Sequence, residues 1–342
     1  MSQQRRQMED IMEEVNYPHS NPVLVKCLGV HNEEDWVEYN LKNCYDEFDI
    51  IRIVEGAVVG RPKSTEDGHS TDRTIEIIKA FPDPDNKIEL IRVDRFFKSL
   101  EEQKQVFLEL ASDGEWLFII DCDEFYMEGD INKVREAIKS RPTASEIIPT
   151  FLHFYRDFFH LKAPHPEWQP QHQRIIRYRD GLRYHTHPVA TDGDGKCTYF
   201  AGEYQSKRYT MPKLWIYHYG HARGAEFHSM KKEFYKSELD KFALADGTSA
   251  SDKFDEKFVE FMEATEPVHT ILKFDDSHPS ALNEHPQRNQ KSLVYIDKDD
   301  FADWKDNFVY GAEELPNIAL LMMGEWKQAE PFYNVLATSE VV

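Results

Sequence analysis

Four short apolar runs punctuate the first 140 residues: 22–30, 49–54, 88–93 and 115–120. Each has the length of a strand, and their dense Val, Ile and Leu content suits strands buried on both faces. Between the runs the spacing becomes helical. Trp36, Tyr39, Leu41 and Cys44 predict a first helix, with Asn32 as its N-cap and Glu33, Glu34 and Asp35 in the first turn, where the dipole favours acids. Ile75, Ile78 and Phe81 predict a second helix, ended by Pro82 and Pro84. Residues 100–110 and 131–140 predict two more. Strand–helix alternation repeated in this way predicts an α/β fold, an open and mostly parallel Rossmann-like sheet with helices on both faces.

After Arg141-Pro142 the pattern changes. Short aromatic-rich strands at 147–155, 174–178 and 214–219 lie between Pro/Gly loops and many histidines, which predicts a mixed extension of the same sheet. Polar helices are expected over 225–243 and 252–264, with another helical pattern at 314–336. No repeat or low-complexity linker separates the halves. The expected divisions are an N-terminal helical extension at 1–20, a first half at 21–142, a second half of the same domain at 143–288, and a C-terminal extension at 289–342.

Composition narrows the partners. With 62 acidic against 41 basic residues the formal net charge is −21, which argues against a protein that grips nucleic acid by its phosphates. No apolar run approaches the roughly 20 residues that span a bilayer, and the first 15 residues lack the apolar stretch of a signal peptide. Cys27, Cys44, Cys122 and Cys197 form no CxxC pair. A reduced, cytoplasmic protein is the simplest reading.

Candidate chemistry gathers where the apolar runs end. In open α/β sheets ligands bind beyond the carboxyl ends of the strands, and three charged features fall there: His31–Asp35, Glu55 and Asp121-Cys122-Asp123-Glu124. Asp121 and Asp123 are two apart, so in extended backbone they leave the same face. Paired carboxylates repel unless a proton or cation lies between them. A hard divalent ion, Mg²⁺ or Mn²⁺, suits oxygen ligands and commonly also binds substrate phosphates. The plainer alternative is a solvated acidic turn.

The segments VKCLGVHNEEDWVEYNL, IIRIVEG, HSTDRTIEII and EWLFIIDCDEF, taken in order, resemble the nucleotide-sugar half of family 2 glycosyltransferases with the GT-A fold. The resemblance covers residues 22–140 and rests on an Asn-Glu turn, an acid after the second strand, a Ser-x-Asp-x-Thr turn and an Asp-x-Asp-Glu block. It implies that Glu55, which stands where many relatives have Asp, contacts the base or ribose of a nucleoside diphosphate sugar. It implies that Asn32 and Glu33 shape the nucleotide turn, and that Asp123, with Asp121 beside it, holds Mn²⁺ or Mg²⁺ on the diphosphate. Gly-rich phosphate loops are absent, which leaves neutralisation to the metal and a basic side chain such as Lys104.

Similar family members also carry a His-Tyr-Gly segment, matched here by His218-Tyr219-Gly220 and followed by Lys231, Lys232 and Tyr235. His218 is then the candidate third metal ligand, with His221 as fallback. The general base stays open among Asp157, His187, Asp192 and Glu203; Pro188 stands where relatives often have an acid after the histidine. Asp157 can equally pair with Arg156 or Arg174. Phe151, His153, Phe154, Tyr155, Phe158, Phe159 and Trp168 offer aromatic faces for a sugar, although Phe is more often core; Trp168, between Pro166 and Pro170, is the candidate platform. His278-Pro279 either closes the site or ends a helix.

The resemblance thus implies metal-dependent transfer of a sugar from a nucleoside diphosphate donor, a UDP-sugar first, to a hydroxyl on a saccharide, protein or other acceptor, with inversion. Rival readings are a nucleotidyltransferase on a similar sheet, or a non-catalytic binding or scaffold protein. A nicotinamide enzyme is disfavoured because the first turn reads GVHNEED rather than G-x-G-x-x-G.

Overall fold

The computed structural model describes residues 21–162, 174–186, 189–191, 208–223, 271–274 and 276–290. Expectations for 1–20, 225–243, 252–264 and 291–342 lie outside these residues.

Strands β1 (Leu24–Val30), β2 (Ile50–Glu55), β3 (Ile88–Arg92) and β4 (Trp116–Ile120) run parallel in the spatial order β4-β1-β2-β3. Helices α1 (Val37–Lys42), α2 (Thr74–Ala80), α3 (Leu100–Glu109) and α4 (Asp130–Ser140) follow the expected alternation. Side-chain alternation along β1 explains why both faces are covered. Leu24, Leu28 and Val30 pack with Val37, Leu41, Ile78, Val134 and Ile138, so α1, α2 and α4 share one face. Val25 and Cys27 pack with Phe107 and Leu108 of α3 on the other. Lys26 alternates onto the first face and is fully buried. Its ammonium donates to the carbonyls of Asn40 and Asn43 at the end of α1, where the helix dipole favours a cation. Burial nevertheless pushes its pKa down to about 8.

The second half widens the sheet. β6 (Glu146–Tyr155) and β8 (Ile175–Arg177) are antiparallel, and β8 is antiparallel to β4 on its other side. β7 (His160–Lys162) and β12 (Ile271–Lys273) continue the edge beyond β6. A small separate pair joins β9 (Arg183–Thr186) to β10 (Val189–Thr191). The long β11 (Arg208–His221) runs parallel to β6 and antiparallel to the two-residue β5 (Glu124–Phe125). The mixed extension is as the sequence predicts. β11 is longer than the expected 214–219 because its ladder with β6 resumes after a register shift between Thr210 and Trp215, a bulge-like irregularity that accommodates Pro212.

One local expectation is corrected. Asn32 does not cap α1: the helix begins at Val37 after an uncapped Trp36. Asn32 is instead in the left-handed region, at φ 54°. Asn tolerates that region better than most residues because its short amide can bond locally. Among the described residues, no helix is long and apolar enough to cross a membrane.

Candidate active site

In the order β4-β1-β2-β3 the neighbours β1 and β4 are the switch point, where the connections leave in opposite directions and a crevice opens beyond the strand ends. Two turns line it, 31–35 after β1 and 121–124 after β4.

The first turn is clipped from below by Ser70-Thr71-Asp72-Arg73-Thr74. Three successive backbone N–H groups, of Asn32, Glu33 and Glu34, donate to Ser70 Oγ (3.0 Å), Thr74 Oγ1 (2.7 Å) and Asp72 Oδ2 (3.1 Å). The Asn32 amide closes the loop from its other side, accepting from Thr71 N–H at 2.8 Å and donating to the Lys63 carbonyl at 2.8 Å. The Ser-x-Asp-x-Thr pattern therefore positions the turn after β1. Glu55, at the end of β2, is completely buried. Its carboxylate accepts from Ser70 N–H (2.7 Å), faces His69 Nδ1 (2.7 Å) and pairs with Arg92 Nε (3.1 Å). These donors together outweigh burial and hold its carboxyl below the ordinary range.

The second turn is pinned by Asn40 of α1, whose amide donates to the carbonyls of Cys122 (3.1 Å) and Glu124 (2.9 Å). Within it the acids divide. Asp121 pairs with Lys104 Nζ at 2.8 Å and Arg174 Nη2 at 3.2 Å. Glu124 is buried against Arg174 at 2.6 Å; desolvation pushes its carboxyl up to about 7 although Arg174 opposes the shift.

Asp123 points elsewhere. Antiparallel pairing of β5 with β11 sets His218 opposite Glu124, and Tyr219 N–H donates to the Asp123 carbonyl at 2.8 Å. This brings His218 Nε2 to 3.8 Å from Asp123 Oδ1. Arg223 spans the crevice, 2.9 Å from Glu33 and 3.5 Å from Asp123. Burial pushes the Glu33 carboxyl up, while Arg223 draws it back. Gly220 is dictated by this packing: a Cβ there would lie 2.4 Å from His218 Nε2 and 3.2 Å from Asp123 Oδ2. The space between imidazole and carboxylate exists because residue 220 has no side chain.

Two further histidines converge on His218. The parallel ladder of β6 and β11 pairs His153 directly with His218, and their Nδ1 atoms lie 2.7 Å apart. A register shift between His218 and His221 lets residues three apart share one side, which regular alternation forbids. His153, His218 and His221 each offer a ligand atom within 4.8 Å of the others.

The structure thus joins Asp123, His218 and Glu33 at one crevice, and pairs Asp121 with Lys104. Glu55 and Asn32 organise the loops beneath it. Asp157 is buried, accepting from Phe159 N–H at 2.8 Å and facing His160 Nδ1 at 2.7 Å. That replaces the surface pairing with Arg156 or Arg174 weighed from sequence. His187, Asp192, Glu203, Trp168, Lys231, Lys232 and Tyr235 lie outside the described residues. Phe151, Phe154 and Phe158 are core. His278 belongs behind the site, its Nδ1 2.7 Å from the Tyr219 hydroxyl and its ring among Phe154, Phe158 and Phe274. Sequence reasoning missed Arg223, Arg174 and the convergence of His153. The Arg after His218-Tyr219-Gly220-His221 was visible, but its partners are fixed only by the crevice.

Residues 65–200 match the family model described as glycosyl transferase family 2. No curated protein matches the chain. Among solved structures, a mannosyltransferase, PcManGT, from Pyrobaculum calidifontis in complex with GDP-Man and Mn²⁺ is 12% identical, over 98% of this chain and 86% of that one, with a TM-score of 0.39. GalNAc-T7 with UDP, GalNAc and Mn²⁺ is 13% identical, over 70% of this chain and 56% of that one, with a TM-score of 0.33. Overall likeness at these scores carries no weight. The match covers residues 65–200, less than half of the chain, and that segment is similar to glycosyl transferase family 2.

Proposed function

We propose that the crevice between β1 and β4 binds a nucleoside diphosphate sugar, UDP-linked in the first instance, and transfers the sugar to an acceptor hydroxyl with inversion. The observation that carries this reading is the meeting of Asp123, His218 and Arg223 at the switch point. One carboxylate and one imidazole, with the gap kept open by Gly220, form a donor set that fits a divalent ion. Asp123 and His218 are the residues that would hold Mn²⁺ or Mg²⁺, which when bound supplies positive charge to the departing diphosphate.

Cleaving the sugar–phosphate bond leaves negative charge on the diphosphate, and Arg223 at the same crevice is placed to stabilise it. Asp121 does not add an uncompensated charge there, because Lys104 and Arg174 neutralise it. The two N-terminal turns are held by side chain–backbone bonds, so the nucleotide meets a loop already ordered. Inversion requires a base on the acceptor hydroxyl. Asp157 is engaged with Phe159 and His160, so we place that role on His187, Asp192 or Glu203. The buried free thiols of Cys27, Cys44 and Cys122 support a reducing compartment, the cytoplasm.

Calorimetric titration with UDP, GDP and CDP, each with Mn²⁺, Mg²⁺ or EDTA, tests this reading. The expected result is metal-dependent binding of one diphosphate, lost in Asp123→Ala. Absence of binding to all three would overturn it.

A further inference from the structure

We infer that His153, His218 and His221 form one transition-metal site, so that this crevice takes a later first-row ion of the Co²⁺ or Zn²⁺ class and Mg²⁺ does not replace it. The inference rests on the reading of the Asp123 edge as the metal site, and widens the ligand set beyond Asp123 and His218. Its basis is geometric. Three ring nitrogens lie within 4.8 Å of one another, and drawing together by about an ångström would bring all three to the roughly 2.0–2.1 Å at which imidazoles bind zinc.

The backbone builds this convergence on purpose-shaped strands. His153 and His218 are register partners on adjacent parallel strands, and the irregularity after His218 turns His221 to the same side. Ring packing limits their freedom. The His153 and His218 rings meet edge to face with centroids 4.9 Å apart, and Phe151 stacks on His153 at 5.3 Å. All three histidines are partly accessible rather than sealed in the core, so an ion has a way in.

Ligand chemistry selects the class of ion. Oxygen ligands suit Mg²⁺, whereas imidazole suits the later first-row metals. Asp123 lies beside the cluster, 3.8 Å from His218 Nε2, and is not one of the three groups whose ligand atoms converge. An ion held by three imidazoles keeps room for exchangeable ligands, the arrangement found where a metal must also touch substrate.

The test is a titration of Co²⁺ into the full chain without nucleotide, followed by visible absorption. One equivalent is expected to bind with ligand-field bands of nitrogen coordination, and to persist against a hundredfold excess of Mg²⁺. His153→Gln and His221→Gln should each weaken Co²⁺ binding at least tenfold while circular dichroism stays unchanged. Displacement of Co²⁺ by equimolar Mg²⁺ would overturn the proposal. So would unchanged affinity in both glutamine variants. If those variants misfold, the Mg²⁺ competition on the unaltered chain still decides. Because no nucleotide is present, failure here is separable from failure of diphosphate binding.

Discussion

The two sides of the crevice solve the same problem differently. On the β1–β2 side Glu55 and Asp72 are answered by fixed donors: Glu55 by Ser70, His69 and Arg92, and Asp72 by Thr74 and the Glu34 N–H. On the β4–β11 side Asp123 faces an imidazole, an arginine and a space kept by glycine. The first side spends its carboxylates on holding loops. The second leaves one carboxylate beside groups that bind metals and anions. Acids that look equivalent in the sequence therefore differ in task, and neighbours from distant segments decide which is which.

The sharpest way to break this contrast is to remove one acid from each side of the Asp-x-Asp turn. Asp123→Ala is expected to lower turnover about 10³-fold, the scale of losing a principal electrostatic stabiliser of the transition state, with little change in unfolding midpoint. Asp121→Asn should cost less in turnover, because its charge already serves Lys104 and Arg174. Initial rates with the donor identified by calorimetry, beside denaturation of each variant, check both. Equal losses would erase the distinction between the two acids.

The aromatic packing behind β11 predicts acid sensitivity. Burial lowers His278 to about 3 and His285 to about 4, against an ordinary value of 6.5. The folded state therefore keeps both neutral, while the unfolded chain protonates below pH 6.5. Their contribution to stability is present above 6.5, is lost progressively as pH falls below it, and is gone once pH has passed 4 for His285 and 3 for His278. Allowing for solvent screening, the loss is about 2–4 kcal/mol for the pair by pH 4.5. Urea unfolding at pH 7 and 4.5 measures it, and His285→Gln should remove about half of the difference attributable to the pair. A pH dependence identical to the parent would place that sensitivity elsewhere.

Gly220→Ala probes the space itself. Its Cβ would press on His218 Nε2 at 2.4 Å, an overpacking that costs about 1–3 kcal/mol if the ring cannot yield. We expect activity to drop roughly 10–100-fold and metal affinity to fall with it. Full activity would mean that the imidazole moves aside without consequence, and that the gap is not a binding space.

What the sequence discloses follows the same division. The parallel strands were legible because burial on both faces favours continuous apolar runs: Trp116–Ile120 is one, and Leu24–Val30 is another broken only by the buried Lys26. The carboxyl-end acids were legible as a set, since strand ends locate ligands in this sheet class. Their division was not. That Asp121 meets Lys104 depends on α3 packing against the sheet, and that Glu55 is sealed depends on the 65–70 loop folding over it. His153 lies 65 residues from His218, and only the strand register unites them. Asn32 misled because a cap and a left-handed turn favour the same residue type. The choice was made by Thr71 and Lys63, which hold its amide.

The smallest expected effect tests the quieter side. Asp72 accepts from Thr74 N–H at 3.0 Å and from the Thr74 hydroxyl at 2.6 Å with one oxygen, and from Glu34 N–H with the other. Asp72→Ala removes these acceptors together, and the loss should resemble that of a helix cap, about 1–2 kcal/mol. Asp72→Asn keeps an acceptor for Thr74 and should recover part of it. Urea midpoints rank the three proteins. If the clip serves only to hold the β1 turn, the affinity for nucleoside diphosphate should weaken by less than about threefold, because Glu33 and Asp123 remain joined through Arg223. A loss of affinity as large as that of Asp123→Ala would instead make the Ser-x-Asp-x-Thr turn part of the binding surface, and the two sides of the crevice would be a single device.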